Sequence, residues 1–193
     1  GTVGLKPGIN NAAVDHFRIR VHGKSTHVST PHLGVDALYI ASQIVGAVQG
    51  LVTRRTSPTE PVIIGIGKLN AGTTYNAVAA FAEMEGTTRT ISQESRDRVR
   101  AQVSETAQSI AALYGGTAEV EWTDFAAALV NDPQVCEEAA RVVDELLGAG
   151  HVVTDRELSL SGDNFAEFEL YKPGAYAYLD TGNPDLPHTM ITT

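Results

Sequence analysis

The 193-residue chain has one cysteine (Cys136), one tryptophan and two methionines. A single thiol excludes an internal disulfide and fits a reducing compartment, so a cytoplasmic location is the expectation. No apolar run approaches the roughly 20 residues that a membrane-spanning helix needs, and no membrane partner is expected. Signal peptide and initiator Met are both lacking: the chain opens Gly1-Thr2-Val3-Gly4 and reads as beginning inside a longer protein. Positive charge is scarce as well. A formal net charge of -9 argues against nucleic acid, whose phosphates demand a basic face. No internal repeat is present.

The charge that is there is unevenly spread. Residues 1–124 carry 11 Lys+Arg and 11 Asp+Glu, whereas residues 125–193 carry 3 and 12. So sharp a change divides the chain near residue 125. Residues 1–14, with the turn dipeptides Pro7-Gly8 and Asn10-Asn11, read as a connector. A strand over about 15–22 follows, with Phe17, Ile19 and Val21 on one face and Arg18 and Arg20 on the other. Leu38, Ala41, Ile44, Val45, Val48, Leu51 and Val52 then recur at helical spacing, behind Asp36 as cap or first-turn acid. Val62–Ile66 opens a β-branched strand, and Val78–Thr90 reads as a third, with Phe81, Glu83 and Glu85 facing opposite to Ala82 and Met84.

Ser92 caps a second helix lined by Val99, Val103, Ala107, Ile110 and Leu113, ended by Gly115-Gly116. Ala118, Val120 and Trp122 alternate in a fourth strand. The order β-α-β-β-α-β predicts an α+β, ferredoxin-like sandwich over 15–124: a four-stranded antiparallel sheet covered by two helices. Beyond it, Asn131-Asp132-Pro133 starts a helix with the apolar face Val135, Ala139, Val142, Val143 and Leu146. Two short extended pieces and long loops follow, too little to close a core. Residues 125–193 therefore read as an incomplete α/β segment of another domain.

Chemistry concentrates between Gly23 and Gly34, GKSTHVSTPHLG, where strand meets helix. Two to six residues suffice for such a connection, and this one carries a lysine, two histidines and four hydroxyls. His27 and His32 stand five apart, which is not the three- or four-residue spacing of two ligands on one helix face. From the residues alone, His27 is either a solvated loop imidazole or a catalytic one. Arg89 is either a strand-face arginine in solvent or a fork for a carboxylate. Asn76 reads equally as a turn residue, and His188 as an exposed loop histidine.

Gly23 to Leu38 resembles the lid-domain signature of the dinuclear-metal amidohydrolases, the family of aminoacylase, carboxypeptidase G and hippurate hydrolase. That family has a Gly-Lys-Gly-Gly-His-x-x-x-Pro-His-type loop followed by a helix opening Val-Asp. Gly65–Gly72, Tyr75-Asn76-Ala77-Val78 and Glu85–Thr90 follow in the family's order. So do Ser161–Ala166, Pro173–Tyr176 and Leu186-Pro187-His188-Thr189. The resemblance implies that residues 15–124 form a lid that pairs with a second copy of the chain in a homodimer. Residues 125–193 would be part of the catalytic domain. It implies that His27 donates a hydrogen bond to the scissile carbonyl in the partner's site as that oxygen becomes an oxyanion. Asn76 would help hold the substrate, an N-acyl amino acid or small peptide, and Arg89 would bind its free carboxylate.

His188 matches the last metal-ligand histidine of a two-metal site, zinc or manganese in the complete enzyme. The other ligands and the Glu-Glu pair have no candidates upstream of the lid, so this chain by itself is expected to bind no metal and to be inactive. The family's Gly-Gly before the loop histidine is Ser25-Thr26 here, and its Gly-Glu-Asp-Phe loop reads Gly162-Asp163-Asn164-Phe165. The alternative is a non-catalytic ferredoxin-like module for dimerisation or small-molecule binding. That reading gains if His27, Asn76 and Arg89 scatter over unrelated surfaces even within the dimer.

Overall fold

A computed structural model describes residues 1–180. Two short strands open the chain, β1 (Val3–Gly4) and β2 (Gly8–Asn11), and the ten-residue β3 (Ala13–His22) follows. Next come α1 (Ala37–Arg55), β4 (Ile63–Ala71), β5 (Phe81–Thr90), α2 (Gln93–Leu113) and β6 (Thr117–Ala126). The remainder holds β7 (Leu129–Asn131), α3 (Pro133–Leu147), β8 (Val152–Val153), the single turn α4 (Ala166–Glu169) and β9 (Tyr178–Leu179). Strands β4, β5, β3 and β6 lie side by side in that order with every neighbouring pair antiparallel. This is the ferredoxin-like split unit that the β-α-β-β-α-β order predicts.

The alternation in the strands sorts the two faces. Phe17, Ile19, Val21, Ala82 and Met84 are fully buried beneath the helices. Ile40, Ile44 and Val48 of α1 and Val99 and Val103 of α2 meet them in one core. Each such large side chain contributes roughly 1.5–3 kcal/mol. Asp36 caps α1 by accepting from the Leu38 and Tyr39 amides, and Ser92 caps α2 by accepting from the Ser95 amide. Gly115, at φ +79, supplies the left-handed residue after α2. Two residues assigned to the helices' apolar faces lie elsewhere. Leu38 is 49% exposed and Leu113 75% exposed, because each lies outside the seam that Ala37, Ile40 and Ala41 fill on α1 and Ala107 and Ala111 fill on α2.

One acid faces the core with the apolar residues. Asp15 is buried at the start of β3, where Arg96 of α2 grips both carboxylate oxygens through Nε at 3.0 Å and through Nη2 at 2.6 Å. Arg100 adds a bond from Nε at 3.0 Å and also pairs with Asp124 on β6. Burial by itself would push the Asp15 carboxyl up. Hydrogen bonds and charge from Arg96 and Arg100 outweigh it and hold the group below the usual carboxylate range.

The first fourteen residues are more than a connector. β1 lies between β8, to which it runs parallel, and β9, to which it runs antiparallel. β2 pairs with β7. The short strands bear no periodicity of their own because partners far along the chain define them. Two peptide segments therefore link the sheet to the C-terminal unit. In one, the Ala12 amide donates to Ser159 O and Ser161 O at 3.2 Å each. In the other, the Ala127 and Val130 amides donate to Glu167 at 2.8 Å and Glu169 at 2.9 Å. The third strand begins at Phe81 rather than Val78, since Val78 and Ala79 bond into the loop before α1.

In α3, Asp132 caps and Pro133 starts the helix as its sequence predicts, but only Cys136 is buried. Val142, Leu146 and Leu147 of its apolar side are exposed, as are Phe168, Tyr171 and Leu179 nearby. These faces are not covered by the described residues.

Replacing Asp15 by Asn leaves the buried Arg96 with no carboxylate nearer than Asp124 at 3.7 Å and takes one of its two carboxylate partners from Arg100, and is expected to cost about 3–5 kcal/mol by urea denaturation at pH 7. The depressed carboxyl stabilises the fold above its unfolded-state value, and that contribution is lost as pH falls through the folded value. Wild-type and Asp15→Asn stabilities should thus converge in acid.

Candidate functional site

The stretch between β3 and α1 is a closed loop stitched to the segment before β5. Lys24 and Val35 exchange both backbone hydrogen bonds, at 2.8 and 2.9 Å, and close its neck. The Gly23 amide donates to Ala80 O at 2.8 Å, Val78 to Thr26 O at 2.9 Å and Val28 to Asn76 O at 3.1 Å. The β3–β5 ladder so continues, in irregular form, beyond its last regular pair His22–Phe81. Glycine is required at the neck, because a Cβ on Gly23 would lie 2.2 Å from Val35 O.

His27 sits at the first position of a turn that the Thr30 amide closes on His27 O at 2.9 Å. Pro31 then sets the exit into a short 3-10 helix, Pro31–Leu33. The imidazole is exposed, with Nδ1 turned back into the turn: Ser29 Oγ stands 2.7 Å from it and the Ser29 amide donates to it at 3.2 Å. Nε2 has no partner among the described residues. His32, which has no part in this arrangement, lies exposed in the 3-10 helix.

Asn76 is brought beside this loop by the His27–Ala77 bridge. Its side-chain oxygen accepts from Thr74 Oγ1 at 3.1 Å, and it makes no bond to His27. Arg89 is elsewhere. It lies on β5 opposite Val14 and Ile63, on the sheet face away from the helices. Eight residues separate it from Phe81, so about 3.3 Å per residue puts it about 26 Å from the loop end of the sheet. One subunit thus joins His27 with Asn76 and leaves Arg89 at the other end. His188 lies outside the described residues.

Arg89's surroundings are distinctive. On the same sheet face Arg20 pairs with Glu83 at 3.1 Å and Glu121 at 2.7 Å, and Arg18 lies 3.5 Å from Glu85. Lys68, bonded to Glu85 at 2.7 Å, is the chief cause that holds that carboxyl down at about 2. Arg89 has no such carboxylate partner among the described residues. It sits at the junction end of the sheet, where Gly162 of the C-terminal unit packs so closely on Val14 that a Cβ would lie 2.4 Å from Val14 Cγ2.

No three His, Cys, Asp or Glu side chains converge as a metal set among the described residues. The described residues therefore supply no ligand set for a dinuclear centre. Cys136 is a buried free thiol, pushed up by burial.

Residues 11–114 match the family described as the peptidase dimerisation domain. The chain belongs to the M20 peptidase family. Over its full length it is 35% identical to an N-acetyl-L-cysteine deacetylase of Bacillus subtilis and covers 46% of that protein. It is 33% identical over 184 residues to thermostable carboxypeptidase 1 of Saccharolobus solfataricus, covering 95% of this chain and 46% of that one. A dinuclear metal binding peptidase from the M20 family of Bacillus subtilis superposes with a TM-score of 0.74 at 30% identity, over 91% of this chain and 43% of its own. The chain spans about half the length of the curated relatives it matches. Members of this family are hydrolases, and the matched region here is their dimerisation domain.

What the sequence did not single out is the pairing of His27 with Ser29. The usable signal was a hydroxyl residue two positions after the histidine, the offset at which a turn folds side chain and main chain onto each other. Replacing Gly23 by Ala is expected to break the Lys24–Val35 neck and cost about 1–3 kcal/mol. Amide exchange at Val28 and Val78 should accelerate while that of the central β3 amides changes least.

Proposed function

We propose that this chain supplies the dimerisation lid and part of the catalytic unit of a metal-dependent amidohydrolase. Its substrate would be an N-acyl amino acid or a small peptide, cleaved at the amide bond. One observation carries the reading: His27 and the junction with the chain's own C-terminal unit lie at opposite ends of the sheet. An imidazole so placed is out of reach of its own subunit's catalytic unit and suits a site formed with a twofold mate. Arg89, without a carboxylate partner among the described residues and at the junction end, suits the opposite task, gripping a substrate carboxylate beside its own subunit's catalytic unit. The two residues then meet across the dimer, with one copy giving His27 and Asn76 and the other giving Arg89.

In this scheme His27 Nε2–H donates to the carbonyl oxygen as charge builds on it. Arg89 fixes the carboxylate end, so the amide is presented at a set distance from the imidazole. The zinc or manganese pair that the resemblance implies finds no ligand set among the described residues, and no step of this scheme runs through it. The 193-residue chain by itself should not hydrolyse N-acyl amino acids. A cytoplasmic location belongs to the same proposal and rests on the lone free thiol.

The test uses a dimeric enzyme that carries this lid together with both halves of the catalytic unit. His27→Ala should lower kcat about 100- to 1,000-fold with little change in KM. Arg89→Ala should instead raise KM. Mixing the two impaired variants should restore part of the activity at low substrate concentration, because one site of the mixed dimer receives both native residues. Unchanged kcat in His27→Ala would favour the non-catalytic dimerisation module.

A further inference from the structure

We propose that Ser29 is the positioning residue of His27: it fixes the neutral ring as the tautomer with its proton on Nε2. The inference rests on the reading above, in which His27 polarises a carbonyl, and adds what prepares it to do so. A backbone N–H can only donate. The Ser29 amide, 3.2 Å from Nδ1, therefore faces a nitrogen lone pair, and the ring proton must be on Nε2. Ser29 Oγ, 2.7 Å from the same nitrogen, donates its hydroxyl proton to it. A ring protonated at Nδ1 would point its proton at the amide hydrogen and lose that bond.

The turn makes this geometry local and rigid. Thr30 closes on His27 O through its amide at 2.9 Å, and Thr26 and Thr30 hydroxyls meet at 3.1 Å across its base. The ladder bonds from Val28 to Asn76 and from Val78 to Thr26 hold both flanks. With Nδ1 occupied, Nε2 is the only ring nitrogen left to face a ligand, and it faces as a donor. An exposed imidazole without such a lock would exchange between tautomers and rotamers. In its other neutral tautomer Nε2 would carry a lone pair that repels a developing oxyanion.

The experiment is histidine side-chain 1H–15N correlation spectroscopy on the 15N-labelled chain, at a pH where the ring is neutral. His27→Gln assigns the His27 signals, and the other five of the six histidines report that the fold is intact. Wild-type His27 should be predominantly the Nε2–H form. Ser29→Ala keeps the amide but loses the hydroxyl donor, and should shift the tautomer ratio toward Nδ1–H about fivefold, the factor one ordinary hydrogen bond supplies. Ser29→Thr, which keeps a hydroxyl, should restore the wild-type ratio. A wild-type ring that is mainly Nδ1–H, or a ratio unmoved by Ser29→Ala, overturns the proposal. The ratio is read without substrate, so failure of catalysis to depend on His27 would remove the functional reading and leave this one standing.

Discussion

The structure turns on a run of main-chain hydrogen bonds that outlasts its own sheet. After His22 and Phe81 the central ladder should end, yet Gly23, Thr26, Val28 and Ala37 go on bonding to the segment from Asn76 to Ala80. Peptide groups bonded in this way are insensitive to which side chains they carry, so the loop can hold polar residues without collapsing. That is how an exposed imidazole is held on a rigid base at the end of the sheet. The close approach of Gly23 to Val35 is the steric condition for this arrangement.

The sheet acts as a spacer as well as a platform. Its helix-covered face is sealed by apolar packing and by the Asp15–Arg96–Arg100 cluster, which ties β3 to α2 where the two linking segments leave the sheet. Its other face is a lattice of paired charges in which Arg18, Arg20 and Lys68 are committed to glutamates. Arg89 has no carboxylate partner among the described residues, whereas the glutamates on the same face are occupied by these ion pairs. The length of β5 then separates His27 and Arg89 by more than any side chain can span.

Most of the ferredoxin-like unit was legible because its residues announce their surroundings locally. Period-two alternation in Phe17, Ile19 and Val21, helical spacing in Ile44 and Val48, and caps at Asp36 and Ser92 depend only on a few neighbours. Strands β1, β2, β8 and β9 were not legible in this way, since two to four residues paired with segments more than a hundred positions away carry no period. Leu38 and Leu113 show the same limit within helices. Spacing identifies a stripe, but which edge of the stripe meets solvent depends on how far the opposing layer extends.

By itself the sequence determined the order of the elements in the ferredoxin-like unit, the family and the chemical character of the loop, because those follow from local pattern and motif. Only the tertiary structure decided which end of the sheet each residue occupies. It also showed that Arg89 has no carboxylate at hand among the described residues. Those properties arise from strand register and chain packing, which bring together residues that are distant in sequence and separate others that lie close in it.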